Sequence, residues 1–112
     1  MNRISPTGEH LLGPTLRGTL QELYSGEEKG FDALALFKFF TPDSSWTWYA
    51  REFNGDDIFY GLVIGFEIEF GYFSLSELQS ARGPMGLHIE RDLFFQPKTL
   101  RELRDMHKRE RR

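Results

Sequence analysis

The sequence contains 112 residues, which is the size of one ordinary domain. Its residues are 39% hydrophobic, 15% aromatic and 28% charged, and the formal net charge is −3. This composition is typical of a soluble globular protein, and it excludes a disordered chain or a strongly basic nucleic-acid coat protein. Because the sequence has no cysteine, disulfide scaffolds, thiolate metal centres and cysteine nucleophiles are excluded as well.

The first residues lack the apolar core of a signal peptide, and the longest apolar stretches, 33–40 and 58–66, are much shorter than the roughly 20 residues of a membrane helix. We therefore expect a cytoplasmic protein without membrane contact. We expect one domain over residues 1–112, with a loosely held arm over 1–14 and a basic tail over 107–112.

Charge is distributed unevenly along the chain. Residues 1–98 contain eight basic and 14 acidic residues, a net charge of −6, whereas residues 99–112 contain six basic and three acidic residues, a net charge of +3. A basic tail on an acidic body is typical of contact with nucleic acid or an acidic partner. We favour the alternative, a solvated helix end, where cations favour the negative pole of the helix dipole.

In chain order, the first predicted element is a helix over 15–24, with an apolar stripe formed by Leu16, Leu20, Leu23 and Tyr24. Residues 33–40 are apolar at odd and even positions alike, which predicts a strand covered on both faces. Residues 45–53 alternate as a strand does. Trp46 and Trp48 share one face of this strand, and Tyr49 and Arg51 share the other.

Asn54-Gly55 is a strong hairpin signal, and it predicts that strand 45–53 pairs with a strand over 58–66. Gly61 and Gly65 lie on one face of the second strand, which indicates a bulge or close packing against the backbone. A reversal at 67–69 then leads into a returning strand over 70–73.

Two capping boxes predict the remaining helices. Ser74 and Glu77 begin a helix over 75–81, and Thr99 and Glu102 begin a helix over 99–109. The predicted fold class is therefore α+β, an antiparallel meander of about four strands packed with about three helices. The alternative is a small, curled, barrel-like sheet with helices at its ends.

Four strings are more specific than composition: SWTWY at 45–49, FYGLVIGFE at 59–67, GYFSLSEL at 71–78 and RGPMGLHIERD at 82–92. In this order they resemble a bacterial family of small proteins of unassigned function, over roughly residues 35–97. Members of that family are typically encoded on plasmids, integrative elements and phages. The resemblance implies an accessory protein of a mobile element and supplies no catalytic residues.

Five polar residues form the first candidate site. Glu67 and Glu69 are two residues apart, and so are His88, Glu90 and Asp92, so each set shares one side of an extended strand. A histidine with carboxylates can bind a hard divalent metal or act as general acid and base. The alternative is a charged edge strand, in which Arg82 and Arg91 neutralise some of the carboxylates.

Aromatic residues form the second candidate site, with Trp46, Trp48 and Tyr49 beside Arg51. Such residues can stack on bases or form the centre of a protein interface. The alternative places both tryptophans in the core, and Tyr49 and Arg51 are then the residues we expect at the surface. A third candidate, the glycine-rich stretch 82–86, follows a helix instead of preceding one, so we interpret it as a helix stop and not a phosphate loop.

Three functions are compatible with these features of the sequence. We favour a non-enzymatic accessory or interaction protein of a mobile element, an inhibitor of a host defence or nucleic-acid-handling protein, because none of the common catalytic or cofactor motifs is present. We expect a host or mobile-element protein as partner, and neither cofactor nor metal. The alternatives are a weak nucleic-acid-binding module using Tyr49, Arg51 and the basic tail, and a small metal-assisted hydrolase using the five polar residues above.

Overall fold

The computed structural model of the chain describes residue 11, residues 21–22 and residues 27–111. The strands within these ranges are β1 (Gln21–Glu22), β2 (Leu34–Ala35), β3 (Phe37–Phe40), β4 (Thr47–Phe53), β5 (Ile58–Ile64), β6 (Ile68–Ser74), β7 (Glu90–Arg91) and β8 (Lys98–Thr99). The helices are α1 (Leu75–Ser80) and α2 (Leu100–Glu110), and 3-10 turns over Glu27–Asp32 precede β2.

Five of the strands form an antiparallel sheet in the order β6-β5-β4-β3-β7. β1 adds to this main sheet by pairing in parallel with the end of β4. β2 and β8 form a separate two-stranded sheet. The predicted strand over 33–40 is therefore extended, but it is divided into β2 and β3, which belong to different sheets. Leu36 lies between them, and its N–H donates to the Ala50 carbonyl of β4.

The hairpin prediction at Asn54-Gly55 is confirmed, because β4 and β5 are antiparallel neighbours. The Asn54 side-chain oxygen accepts hydrogen bonds from the backbone N–H groups of Asp56, Asp57 and Ile58 at 2.9–3.0 Å. Gly55 has a φ of 88°, a backbone conformation that glycine adopts without strain. The turn chemistry therefore determines which strands pair.

The predicted fold class is wrong, since the described part of the chain is mostly β. It has eight strands and two α-helices instead of about four strands and about three helices. The predicted helix over 15–24 is wrong at residues 21–22, which form β1, and its other residues lie outside the described ranges. The barrel-like alternative does not fit either, because β6 and β7 lie at opposite ends of the strand order.

The two later helices are confirmed to within a residue at each end. The Ser74 side chain accepts from the Glu77 N–H to begin α1, and a complete capping box of Thr99 and Glu102 begins α2. Neither α-helix in the described ranges is long and apolar enough to cross a membrane.

Each face of the main sheet buries its own apolar cluster. The α1 face, named for the helix that packs there, includes the arm residue Leu11 together with Phe39, Phe53, Phe59, Phe73, Leu75, Leu78 and Ile89. The α2 face includes Ala35, Tyr49, Leu62, Ile64, Leu100 and Leu103. Burial on both faces explains why the strand sequences are apolar at odd and even positions alike.

Candidate functional site

The five polar residues of the first candidate site do not come together. Glu69 lies on the edge strand β6 and Glu67 in the turn before it, whereas Glu90 and Asp92 lie in or next to β7 at the other edge. Three strands separate these edges, a distance of about 19 Å at the usual strand spacing. Within the described ranges, no group of three or more His, Asp or Glu side chains could hold a metal ion.

The residues around β7 are engaged locally. Asp92 lies 3.7 Å from the Lys38 ammonium, and the Arg91 guanidinium lies 5.4 Å from the ring centre of Phe37. Burial lowers the pKa of Arg91. His88 forms an isolated backbone bridge with Arg82, ahead of the strand. The contacts of Asp92 with Lys38 and of Arg91 with Phe37 hold this edge of the sheet against β3.

Tyr49 and Arg51, which we expected at the surface, are buried with exposures of 1% and 3%. Tyr49 lies beneath α2, and its hydroxyl is 2.7 Å from Nε2 of His107. Burial, with Glu110 and Asp92 adding to it, raises the pKa of Tyr49, so the phenol keeps its proton. Burial also lowers the pKa of His107. Nδ1 of His107 faces the Glu110 carboxylate at 3.6 Å, so a neutral imidazole with its proton on Nδ1 can accept the phenol's hydrogen bond at Nε2.

Arg51 is buried because β4 contains a bulge. The pairing with β5 shifts between Ala50 and Glu52, so β4 carries one extra residue there. In a regular strand Arg51 and Glu52 would point to opposite faces, but an extra residue can turn both to the same face. Their side chains form a buried ion pair, and Arg51 also donates to the Gly30 carbonyl at 3.0 Å.

Trp46, Trp48 and Arg82, by contrast, come together on the α1 face. They line a groove of about 240 Å³, which we call the tryptophan groove, with Thr41, Ser44, Ala81, Gly83, Pro84 and Ile89. The two indole rings stack with centres 5.9 Å apart, and both tryptophans are half-buried. Trp46 and Trp48 are therefore partly buried and partly at the surface, which lies between the core position and the exposed position considered for them above.

Asp43 holds one wall of the groove in place. Its Oδ2 accepts from the Met85 N–H at 2.7 Å, and its carboxylate lies so close to Gly83 that a Cβ there would clash with it. The Gly83 N–H also donates to the Leu87 carbonyl at 2.9 Å. The stretch 82–86 is therefore an anchored turn after α1, which agrees with its interpretation as a helix stop.

Two apolar side chains adjoin residues of the groove and form what we call its rim, Phe66 through its ring contact with Trp46 and Met85 through its position after Pro84 in the chain. The sequence did not indicate either of them. Phe66 is 88% exposed, and its ring meets Trp46 edge-on at 5.3 Å between centres. Met85, on the anchored turn, is 80% exposed. Phe66 was assigned to a buried strand because it continues the alternation of 58–66, but β5 ends at Ile64. Arg111 donates to the backbone carbonyls of Gly65 and Phe66 and holds this turn.

The fold and this surface define a small, mostly β domain with an open sheet and an aromatic groove at one end. The family model of the protein of unknown function DUF2958 matches residues 11–107, and the chain belongs to that family. Searches of curated proteins and of solved structures found no match.

Proposed function

We propose that this protein is a non-enzymatic interaction protein that binds another protein through the tryptophan groove. The observation that carries the proposal is the set of exposed apolar side chains around two stacked tryptophans, with Phe66 and Met85 at the rim. Tryptophan, phenylalanine, methionine and arginine are the residues enriched at protein interfaces. A groove of about 240 Å³ has room for one anchoring side chain of a partner.

The charge of the protein supports a basic partner. Residues 1–98 have a net charge of −6, and Glu67 and Glu77, which are both exposed, follow Phe66 and begin α1. An acidic surface steers basic proteins towards the groove and repels phosphate backbones. We propose that the partner is a host protein whose basic surface handles nucleic acid. The resemblance to proteins of mobile elements supports a role as accessory protein and inhibitor.

A second function as a nucleic-acid-binding module has less support. Tyr49 and Arg51, the residues that it requires, are buried on the α2 face. A base cannot stack on a tyrosine whose ring is covered by a helix.

Phe66→Ser combined with Met85→Ser tests the proposal, because both side chains are exposed and their loss leaves the core intact. Partner capture from a host lysate identifies the binder, and titration with the purified binder measures the affinity. We expect the double variant to bind at least tenfold more weakly at unchanged thermal stability, since interface anchors contribute about 2 kcal/mol or more each.

Leu34→Ser is the matched control, because Leu34 is also exposed but lies in the two-stranded sheet with β8. It should bind as tightly as the wild type. If the double variant binds the same partner with unchanged affinity, the groove is not the contact surface.

A further inference from the structure

A second cavity lies on the α2 face, where α2 leaves the end of the sheet uncovered. Its volume is about 180 Å³, and the described residues that line it are Gly30, Phe31, Arg51, Glu52, Tyr60, Phe70, Tyr72 and Leu100. A cavity of about 150 Å³ can hold a benzene ring. This space therefore suits a one-ring molecule or a compact two-ring molecule, and it is separate from the tryptophan groove.

The polar end of the cavity is the bulge of β4. Arg51 is 3% exposed and uses its terminal nitrogens on Gly30 and Glu52. Its Nε is buried and has no hydrogen-bond partner among the described residues. A buried N–H without a partner costs free energy, and the neighbouring ion pair with Glu52 keeps the guanidinium fixed at this end of the cavity.

The walls of the cavity are aromatic. Phe31 and Phe70 stack with ring centres 4.5 Å apart, and Tyr60 and Tyr72 meet edge-on at 4.9 Å. Tyr72 is 53% exposed, so the cavity opens to solvent on that side. Aromatic walls on two sides favour a flat ring between them.

Two more cations lie against the same walls. The guanidinium carbons of Arg101 and Arg104 are 5.6 and 5.0 Å from the ring centre of Phe31. Their acidic partners, Asp32 and Asp105, have side-chain exposures of 69% and 48%, and an ion pair whose carboxylate is in contact with solvent is weak. A ligand anion at the mouth of the cavity can therefore exchange places with those carboxylates.

We propose that this cavity binds a small aromatic anion, a flat ring that lies between the aromatic walls and carries a carboxylate or phosphate group that meets Arg101 and Arg104. Arg51 and Glu52 neutralise each other inside the cavity, so the selectivity for an anion comes from the two arginines at the mouth. Carboxylate and phosphate fit a guanidinium equally well in geometry. The site takes the ring between the aromatic walls in either case.

The test is an NMR titration of the full chain with two anions, indole-3-carboxylate and uridine 5′-monophosphate, and with their neutral counterparts, indole-3-carboxamide and uridine. We expect saturable shifts at residues 30–31, 51–52, 60, 70 and 72, with a midpoint on the order of 1 mM or below for at least one anion. Each neutral counterpart should bind at least fivefold more weakly.

Arg104→Gln and Tyr72→Leu change the mouth without touching the buried ion pair, so both variants should fold. Each should weaken anion binding about fivefold or more. Arg109→Gln, at the far end of the same helix, is the matched control and should bind as the wild type does. The proposal is overturned if neither anion gives saturable shifts in the cavity, if the neutral counterparts bind equally well, or if Arg109→Gln weakens binding as much as Arg104→Gln.

Discussion

His107 connects the end of α2 to the centre of the sheet through a single hydrogen bond. Its Nε2 lies 2.7 Å from the buried Tyr49 hydroxyl, and its Nδ1 lies 3.6 Å from the Glu110 carboxylate. Burial, together with Lys38 and Arg111, lowers the pKa of His107 in the folded protein, although Glu110 opposes the shift. The unfolded chain therefore binds a proton at a higher pH than the folded protein does.

The first prediction is that stability falls with acidification below about pH 6.5, the usual pKa of histidine. Above that pH the imidazole is neutral in both states and its contribution is complete. As the pH falls from there towards the lower pKa of the folded state, the unfolded chain takes up the proton first and folding weakens. Urea melts between pH 8 and pH 5 measure the change.

His107→Gln is the matched variant for this prediction, because a glutamine oxygen can accept the Tyr49 hydrogen bond and does not titrate. The difference in unfolding free energy between wild type and variant should be constant above pH 7.5 and should change, in favour of the variant, on acidification. A difference that stays constant down to pH 5 would contradict the assignment of a neutral imidazole.

The second prediction concerns two glycines that face each other across β5 and β6. Gly61 and Gly71 are directly paired, but only Gly61 lies against another backbone. A Cβ on Gly61 would clash with the Tyr49 carbonyl, and it would come within 3.2 Å of the Ala50 Cα. On Gly71 a Cβ would meet nothing within 4 Å.

Gly61→Ala should therefore destabilise the protein by about 1–3 kcal/mol, because the bulged strand cannot move away. Gly71→Ala should be neutral or stabilising by about 0.5 kcal/mol, because it removes backbone freedom from the unfolded chain. Thermal and urea melts of the two variants give the comparison. Equal effects of the two substitutions would show that close packing at the bulge is not what Gly61 provides.

Strand alternation correctly predicted that Tyr49 and Arg51 lie on the same face, but it could not predict their burial. Alternation is a local property of one strand, whereas the burial of Arg51 depends on the bulge, on Glu52 and on the Gly30 carbonyl. Gly61 and Gly65 did carry a usable signal. Glycine within a strand indicated close packing, and the structure shows Tyr49 and Trp46 against them.

Among the elements, α1 depends most on a single residue, because it is six residues long. Ser74 Oγ accepts from the Glu77 N–H at 3.2 Å and donates to Asp57 Oδ2 at 2.6 Å. Asp57 also accepts from the Ser76 N–H through Oδ1 and from the Leu75 N–H through its carbonyl. The hairpin turn and the start of the helix are therefore joined.

The third prediction is that Ser74→Ala and Thr99→Ala each cost about 1 kcal/mol of unfolding free energy. Ser74→Ala should cost more, because it also removes the bond to Asp57. Ser80→Ala is the control, since its hydroxyl only donates to the Glu77 carbonyl at 3.3 Å, and it should stay within about 0.5 kcal/mol of wild type. If urea melts of Ser74→Ala and Ser80→Ala coincide, the cap does not stabilise α1.

The elements that sequence reasoning found are those that a few neighbouring residues determine. Asn54-Gly55, the Ser74 N-cap and the Thr99–Glu102 capping box act within five residues, so their turn and helix starts were predictable. β1, β2, β7 and β8 have two residues each, too few to show any periodicity. They exist only because a distant strand offers hydrogen-bonding groups, and this is why the fold was predicted with too few strands.

At the scale of the whole molecule, the end of α2 is a structural part of the domain instead of a free basic tail. His107 bonds to Tyr49, and Arg111 donates to the carbonyls of Gly65 and Phe66. Removing residues 107–112 would therefore disturb both the core and the rim of the tryptophan groove. Within the described part of this segment, the exposed cations Lys108 and Arg109 can be replaced without that damage.

The fourth prediction is that the protein binds DNA only weakly at physiological salt. The net charge of −6 over residues 1–98 repels phosphates, and with Arg111 engaged by the turn, the exposed end of α2 offers Lys108 and Arg109 as phosphate contacts. The logarithm of any DNA affinity should then fall with the logarithm of salt concentration with a slope of about −2. Lys108→Gln combined with Arg109→Gln should reduce that slope towards zero and leave capture of the protein partner unchanged. Fluorescence titrations with single-stranded and duplex DNA at several salt concentrations measure both quantities. Submicromolar DNA affinity at physiological salt, lost in the double variant, would instead make α2 a nucleic-acid-binding element and remove the protein partner from its central role.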